Sequence, residues 1–372
     1  MSLNVAPIPA GEALEVLHAG WNAQKTGGLT ASWMLHGRPG VGKTQIVHQL
    51  AERIGARLFD LRLTTIEPQD LRGLPYYDHD ARRTVWYRPE DLPDDPDHPA
   101  ILFLDELTAA SPHIQPTVYG LLQERRVGRH LLPDSVMFVA AGNMAEDGAV
   151  AYEMGTALSD RLIHLWVKTG AEDWLRNFAV REGLHPAVTA FIRGRPDLLD
   201  TTEASLNAGR TVACTPRSWE RVSRIMRSAT DRRVRDVMVA GTIGKEAAAE
   251  FALVADDIAA TLRIDDMLEA APRDRAGMYP ATMHGLNALI YGLVGTADSA
   301  RIDPAIDIMA GIRSLDDDRP DEGFDRLPLG ELSTFGFEML IRKGLDAGLQ
   351  DAFLRSKTYA AYAAERKAAG LE

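Results

Sequence analysis

Residues 37–44, Gly37-Arg38-Pro39-Gly40-Val41-Gly42-Lys43-Thr44, match the pattern G-x-x-x-x-G-K-[ST]. The residues before them, Ser32–His36, are apolar enough for a short strand, and residues 45–54 have helical spacing. A glycine-rich loop between a strand and the start of a helix turns its backbone N–H groups toward an anion. This context predicts a phosphate-binding loop and makes a chance glycine-rich turn the weaker interpretation.

The loop supplies the candidate nucleotide-binding residues. Lys43 is placed to reach the β- and γ-phosphates, and the hydroxyl of Thr44 to contact Mg²⁺. Gln45 follows in the first turn of the helix. The candidate nucleotide-binding set is Gly37, Arg38, Pro39, Gly40, Val41, Gly42, Lys43, Thr44 and Gln45.

A second signal is the apolar run at residues 100–106, which ends in two carboxylates, Asp105 and Glu106. Buried parallel strands have this composition, and ligands collect beyond the carboxyl ends of such strands. We expect Asp105 to hold Mg²⁺ through its water shell and Glu106 to orient or deprotonate the attacking water. The alternative is an acidic helix N-terminus, where Asp and Glu are common.

Three further apolar segments, residues 56–63, 135–141 and 162–167, complete a predicted parallel five-stranded sheet in an αβα core. Asn143 follows the fourth of these strands, where its amide could bond both the water and the γ-phosphate. An Asn after a strand is, however, usually a turn residue. Arg161 stands just before the fifth strand.

Two insertions in this core are predicted to be hairpins. Residues 76–87 are aromatic and residues 125–133 are basic. The aromatic hairpin could grip a partner or pack against itself, and the sequence favours neither. Between the hairpins we expect a helix that starts at Ser111 with Pro112 in its first turn, although Pro116 would also allow a later start.

From residue 172 onward the sequence predicts helices. Thr215 has the pattern of an N-cap with Pro216 at the first helical position, which directs Arg217 outward from the helix end. An arginine there is more often simply solvated. We predict three domains: the nucleotide-binding core (residues 1–168), a helical lid (169–262) and a further helical region without a chemical motif (263–372).

The composition and net charge of the chain limit the class of protein to which it can belong. The 372 residues are 45% hydrophobic and 25% charged, as expected for a globular protein. The net charge of −12 disfavours a dominant nucleic-acid surface. A single cysteine, Cys214, excludes an internal disulfide, and the N-terminus resembles no signal peptide. We therefore expect a cytoplasmic protein without membrane insertion, since no uncharged run approaches the roughly 18 residues of a spanning helix.

The ordered set of these motifs resembles the AAA+ ATPases and, within them, the MoxR family. Four segments carry the narrower resemblance: residues 70–73 (Asp-Leu-Arg-Gly), 124–128 (Glu-Arg-Arg-Val-Gly), 139–143 (Val-Ala-Ala-Gly-Asn) and 158–161 (Leu-Ser-Asp-Arg). The resemblance covers roughly residues 11–260. It departs after Asn143, where the family commonly continues with Pro and this chain has Met144.

The resemblance implies roles at the matching positions. Asn143 would be sensor 1, Arg217 sensor 2 and Arg161 an arginine finger that reaches the γ-phosphate of a neighbouring subunit. Together with Glu106 they form the candidate catalytic set. The resemblance also implies ATP and Mg²⁺ as cofactors, a homo-oligomeric and hexameric ring, and a protein client such as a von Willebrand A domain protein.

The leading hypothesis is thus an ATP-hydrolysing AAA+ ring ATPase that remodels or activates a protein partner, as a MoxR-like chaperone. One alternative is a nucleic-acid-directed motor or loader, which the basic hairpin favours and the acidic net charge opposes. Another is a nucleotide-gated scaffold with little turnover, against which the intact set of Lys43, Glu106 and Arg161 argues.

Overall fold

The computed structural model describes residues 3–144, 155–320 and 323–368. The chain divides into two compact units, Met1–Gly170 and Ala171–Glu372. In the part of the chain described, the first unit is a sheet with helices on both faces, and the second consists of helices joined by loops. The predicted α/β core followed by helical regions is confirmed.

Within residues 3–144 and 155–170, the first unit contains ten strands and five α-helices. The strands are β1 (Pro7–Ile8), β2 (Ser32–His36), β3 (Arg57–Arg62), β4 (Pro75–Asp78), β5 (Arg83–Trp86), β6 (Ala100–Asp105), β7 (Arg126–Val127), β8 (His130–Leu131), β9 (Val136–Gly142) and β10 (Leu162–Val167). The helices are α1 (Ala10–Gly27), α2 (Lys43–Ile54), α3 (Pro68–Arg72), α4 (Gln115–Glu124) and α5 (Thr156–Ser159).

Six of these strands form one parallel sheet in the order β1-β10-β2-β9-β6-β3. The five predicted strands are all present, and β1 adds a sixth at the edge beside β10. A two-residue strand is too short to show alternation, so no sequence pattern predicts it. The other strands, β4 with β5 and β7 with β8, form the two predicted hairpins.

The central strands are buried on both faces, which explains their unbroken apolar sequences. Alternate side chains of β2 project from opposite faces of the sheet and pack into two different hydrophobic cores. Met34 packs with Leu102 and Phe138 on one face, while Trp33 and Leu35 pack on the face that α1 and α2 cover. At about 25 cal/mol per Å² of apolar surface, this two-sided burial is the main stabilisation of the unit.

The strand order places the phosphate loop. After β2 the chain crosses through α2 to β3 at the far edge, and β6 and β9 then fill the space between them. The last strand, β10, lies on the other side of β2. The order therefore reverses beside β2, and α/β sheets bind ligands beyond the carboxyl ends of the strands at such a point. His36 at the end of β2 lies opposite Gly142 at the end of β9.

The helix between the hairpins does not start at Ser111 but takes the later start that Pro116 allowed. α4 begins at Gln115, with Pro116 in its first turn. Proline is tolerated there because the N–H that it lacks would have no helical partner. Residues 112–114 form a turn instead.

The second unit is helical: α6 (Ala171–Trp174), α7 (Pro186–Gly194), α8 (Thr202–Asn207), α9 (Pro216–Ser228), α10 (Arg232–Ile243), α11 (Lys245–Thr261), α12 (Ile264–Glu269), α13 (Met283–Thr296), α14 (Ile302–Gly311), α15 (Leu315–Asp318), α16 (Leu329–Asp346), α17 (Gln350–Arg355) and α18 (Lys357–Ala368). One hydrophobic core runs through these helices from Trp174 to Tyr362, so the predicted boundary at residue 262 falls inside it. Among the described residues, every helix is too short or too polar to cross a lipid bilayer.

A buried histidine makes the second unit acid-sensitive. His185 caps α7, accepting from the backbone N–H of Ala187 at 3.2 Å. Burial first, and then the charges of Arg227 and Arg235, lower the pKa of His185 to about 4. The unfolded chain binds a proton near the ordinary value of 6.5, so stability falls as the pH drops from about 6.5 toward 4.

We expect this one group to cost at most about 3 kcal/mol of unfolding free energy at pH 4 relative to pH 7. His185→Asn keeps a capping side chain without the titration, so its stability should depend less steeply on pH. Urea unfolding followed by circular dichroism at several pH values measures both slopes. Equal slopes for the variant and the wild type would contradict the assignment.

Candidate nucleotide-binding site

The loop after β2 has the backbone of an anion cradle. Gly40 and Gly42 have φ angles of 83° and 105°, a region that other residues rarely adopt. Gly42 is the N-cap of α2 and has no side chain to bond the N–H groups of the first turn. These N–H groups and the positive end of the helix are suited to bind a phosphate.

Lys43 is held at the centre of this cradle. Its side chain is almost completely buried, with 9% relative exposure. Its ammonium group donates to the carbonyls of Gly37 at 2.7 Å and Arg38 at 3.0 Å, and to Oδ1 of Asn143 at 2.9 Å. A buried ammonium group needs such oxygen partners. The structure thus brings Lys43 and Asn143 together.

Thr44 and Asp105 form the part of the site that fits a metal ion. The hydroxyl of Thr44 donates to Oδ2 of Asp105 at 3.4 Å, and Oδ1 of Asp105 accepts from the backbone N–H of Glu106 at 2.8 Å. Hydroxyl and carboxylate oxygens are ligands that Mg²⁺ prefers, and Mg²⁺ usually keeps several waters and phosphate oxygens besides. The two residues fit a Mg²⁺ ion bound together with a nucleotide.

Glu106 leaves the sheet in a strained conformation. Its φ of 60° is left-handed, which costs about 1 kcal/mol or more for a residue with a side chain. Its carboxylate accepts a hydrogen bond from Thr64 and lies 3.9 Å from Nε of Arg62. It is partly exposed, at 38%. Strained residues of this kind cluster at functional sites.

Arg62 and Thr64 are site residues that sequence reasoning did not single out. Arg62 ends β3, and its Nη2 lies 4.0 Å from Oδ2 of Asp105. The available signal is their position, because they stand at the carboxyl end of a predicted parallel strand, where ligands collect. Only the adjacent pairing of β3 and β6 brings them beside the two carboxylates.

Asn143 is fixed from the other side by Thr108. The Thr108 hydroxyl donates to the carbonyl of Asn143 at 3.0 Å. Gly142 permits this approach, because a Cβ there would lie 2.5 Å from Cγ2 of Thr108. Residues 145–154, which include most of the departure from the MoxR pattern, lie outside the described residues.

A pair of histidines lies beneath the loop, and sequence reasoning missed it. Nε2 of His36 is 2.7 Å from Nδ1 of His164. Burial, and then the neighbouring His164 and Lys43, lower the pKa of His36 to about 4, so this ring is neutral at pH 7. A lone histidine in an apolar strand gives no signal in a sequence.

Arg161 lies at the opposite end of the strands from the phosphate loop. It is exposed and directly precedes β10, whose first residue, Leu162, pairs with Ser32 at the start of β2. Trp166, which pairs with His36, is five residues further along, about 16 Å at the rise of a strand. The structure therefore does not bring Arg161 to Lys43 of its own chain.

Arg217 lies in the second unit, where the predicted helix start is present. The Thr215 hydroxyl accepts from the Ser218 N–H at 3.1 Å, and the Ser218 hydroxyl accepts from the Thr215 N–H at 2.8 Å. Arg217 is exposed in the first turn of α9. Its role as sensor 2 stays a prediction.

The two hairpins present different surfaces. The aromatic hairpin exposes Tyr77 (73%) and Tyr87 (62%), and the ring of Tyr87 stacks on Tyr76 at 4.6 Å. In the basic hairpin, Arg125 points inward and donates to the carbonyls of Pro133 and Val136 at 2.7 and 2.6 Å. Arg125 is therefore a structural residue and does not contribute to a basic surface.

Comparison with known families agrees with this architecture. Residues 32–162 match the model of the AAA domain, dynein-related subfamily. The match starts at β2 and ends at the start of β10, so it contains the phosphate loop, both carboxylates, Asn143 and Arg161. It supports an AAA+ ATPase, a class that generally binds nucleotide with Mg²⁺, hydrolyses ATP and commonly forms oligomeric rings. It does not distinguish the MoxR family within that class.

Solved structures show a weaker likeness. The chain is similar to a protein of Cytophaga hutchinsonii provisionally described as an ATPase, at 15% identity over 76% of this chain and 74% of that one, with a TM-score of 0.33. It is also similar to the RuvB Holliday junction branch migration motor of Thermotoga maritima, at 14% identity over 72% of this chain and 79% of that one, with a TM-score of 0.36. No curated protein matches the chain.

The metal assignment can be tested by binding. Asp105→Asn removes a carboxylate charge beside Thr44, so Mg²⁺ should strengthen the binding of a fluorescent ATP analogue much less than in the wild type, by roughly tenfold or more. Asp94→Asn, in an exposed loop of the same unit, is the control. Titrations with Mg²⁺ and with EDTA measure the difference. An equal Mg²⁺ effect in D105N would exclude Asp105 as a metal residue.

Proposed function

We propose that this protein is an ATP-hydrolysing, ring-forming AAA+ ATPase that remodels or activates a protein partner, similar to MoxR chaperones. The observation that carries the proposal is the convergence of Lys43, Thr44, Asp105, Glu106 and Asn143 at the carboxyl edge of one parallel sheet. Three separate segments of the chain supply them. A scaffold for nucleotide alone needs the cradle but not a base and an amide beside it.

Each residue has a distinct task in the proposed reaction. Lys43 exchanges its carbonyl contacts for the β- and γ-phosphates, and Thr44 and Asp105 hold Mg²⁺. Bound Mg²⁺ neutralises phosphate charge. Glu106 orients or deprotonates the attacking water, and Asn143 bonds that water and the γ-phosphate while it stays near Lys43.

Arg161 is proposed to complete the site of a neighbouring subunit. Along the strand, Arg161 is about 16 Å from the level of its own phosphate loop. This distance exceeds the reach of an arginine side chain. An arginine placed against the γ-phosphate contributes roughly 10³ to 10⁵ in rate in other phosphoryl-transfer systems. A closed ring, proposed here as a hexamer, supplies such a neighbour at every site.

The proposed client is a protein, for example one with a von Willebrand A domain. The exposed aromatic side chains of the first hairpin suit a protein surface. A nucleic-acid motor is less well supported, since Arg125 points inward and the chain carries a net charge of −12. Stimulation of the ATPase by DNA, with a steep salt dependence, would favour the nucleic-acid alternative instead.

The base is tested by Glu106→Gln. The neutral amide keeps the size of the side chain but cannot take a proton, so turnover should fall roughly 10²-fold or more while ATP still binds. Phosphate release measures turnover, and equilibrium binding of a fluorescent nucleotide measures affinity. Glu124→Gln, an exposed carboxylate at the end of α4, is the matched control. Unchanged turnover in E106Q would exclude this base.

The arrangement between subunits is tested by mixing variants. Arg161→Ala leaves its own loop intact but spoils the neighbouring site, whereas Lys43→Ala spoils its own site and keeps Arg161. Each variant alone should be inactive, and a mixture should regain part of the activity, because some interfaces then pair an intact loop with an intact arginine. Turnover is followed against mixing ratio, with subunit exchange checked by fluorescence. Exchange without recovery would argue against action in trans.

A further inference from the structure

The pair of buried His36 and partly buried His164 forms one link of a continuous chain of contacts. His36 is the last residue of β2 and is 7% exposed. His164 lies on the neighbouring strand β10, two residues before the partner of His36 in the ladder, so both side chains project from the same face. The rings stack with centroids 5.0 Å apart, inclined by 22°.

The hydrogen-bond partners of the pair fix which nitrogens carry protons. Nε2 of His164 lies 2.9 Å from the backbone oxygen of Ser159, which can only accept. Because that oxygen only accepts, we infer that Nε2 of His164 donates to it and that Nδ1 of His164 accepts from Nε2 of His36. His36 in turn must carry its proton on Nε2. Each ring thus donates in the same direction, from His36 through His164 to Ser159.

Ser159 connects this chain to the segment that carries Arg161. It is the last residue of α5, two residues before Arg161. Backbone bonds hold the rest of the segment, since Ser159 and Arg161 donate to the carbonyls of Gly155 and Leu158, each at 3.1 Å. Nε2 of His164 ties the segment to the sheet, because it lies 2.9 Å from the backbone oxygen and 3.1 Å from the hydroxyl of Ser159.

At its other end the chain reaches the phosphate loop. His36 is followed directly by Gly37, whose carbonyl accepts from Lys43 at 2.7 Å. Gly37 lies so close to β10 that a Cβ there would be 2.6 Å from the carbonyl oxygen of Val167. A phosphate that draws Lys43 away from Gly37 therefore acts on the residue next to His36.

We propose that His36 and His164 are positioning residues that connect the nucleotide state of a subunit's own phosphate loop to the segment carrying its Arg161. The inference rests on the proposed function, in which that arginine serves the neighbouring site. Through this link, nucleotide binding in one subunit sets the placement of the arginine that the next site uses. Adjacent sites in a ring are then coupled through buried side chains of each subunit.

Two substitutions separate this role from simple packing. His164→Gln places an amide N–H near the position of Nε2, so it keeps the donor to Ser159. His164→Asn is shorter and keeps only a group near Nδ1, so it loses that donor. Both put a neutral amide at the same buried position. If His164 acted through packing alone, the two variants would behave alike. The smaller loss of volume in H164Q would then make that variant differ from H164N in stability only.

Hydrogen–deuterium exchange of the full-length protein gives the readout. Without nucleotide, amides in residues 155–161 should exchange about fivefold faster in H164N than in the wild type, as expected for the loss of one hydrogen bond, and H164Q should restore the protection. A slowly hydrolysed ATP analogue should slow exchange there in the wild type and in H164Q but not in H164N. The peptide containing β6 is the internal control.

The turnover of H164N should fall roughly tenfold or more through misplacement of Arg161, and the double variant with Arg161→Ala should be no less active than Arg161→Ala alone. Equal exchange in H164N and H164Q, or additive losses in the double variant, would overturn the proposal. So would a nucleotide effect that persists in H164N. If the wild type fails to bind nucleotide, the proposed function falls, and the nucleotide-free comparison still decides whether His164 holds the segment. His36→Asn against His36→Gln applies the same test should H164N fail to fold.

Discussion

The candidate site depends on the placement of one buried charge, the ammonium group of Lys43. An ammonium group leaves water at a high cost in free energy unless oxygens surround it. Here two oxygens come from the loop after β2 and the third from Asn143 after β9. Strands β2 and β9 must therefore be neighbours with matched ends, and the sheet order provides this.

The sheet meets that requirement through the chemistry of its strands. β2, β6 and β9 are buried along their full length, so polar side chains with catalytic potential gather where the strands end. Parallel strands end at a common edge, and Asp105 and Asn143 consequently face the loop. The left-handed turn at Glu106 redirects the chain there, and Thr64 and Arg62 hold the carboxylate on the side of β3.

Most of the first unit was predictable because its signals are local. The pattern at residues 37–44 and the apolar runs ending in Asp105 and before Asn143 gave the strands and the core of the site. The sequence left the outcome open where a local preference had competitors. The helix between the hairpins begins at Gln115 and not at Ser111, because Pro116 fits only a first turn. Arg125, part of a basic run, donates to the carbonyls of Pro133 and of Val136 in β9.

The sequence by itself determined the phosphate loop, the acids at the end of β6 and the cap of α9, since each rests on residues close together in the chain. Only the tertiary structure decided which strands are neighbours. It therefore decided that Arg62 reaches Asp105, that His36 contacts His164, and that Arg161 lies at the opposite end of the strands from the phosphate loop. These relations join residues up to 128 positions apart. They follow from the burial of whole strand faces, which no short pattern encodes.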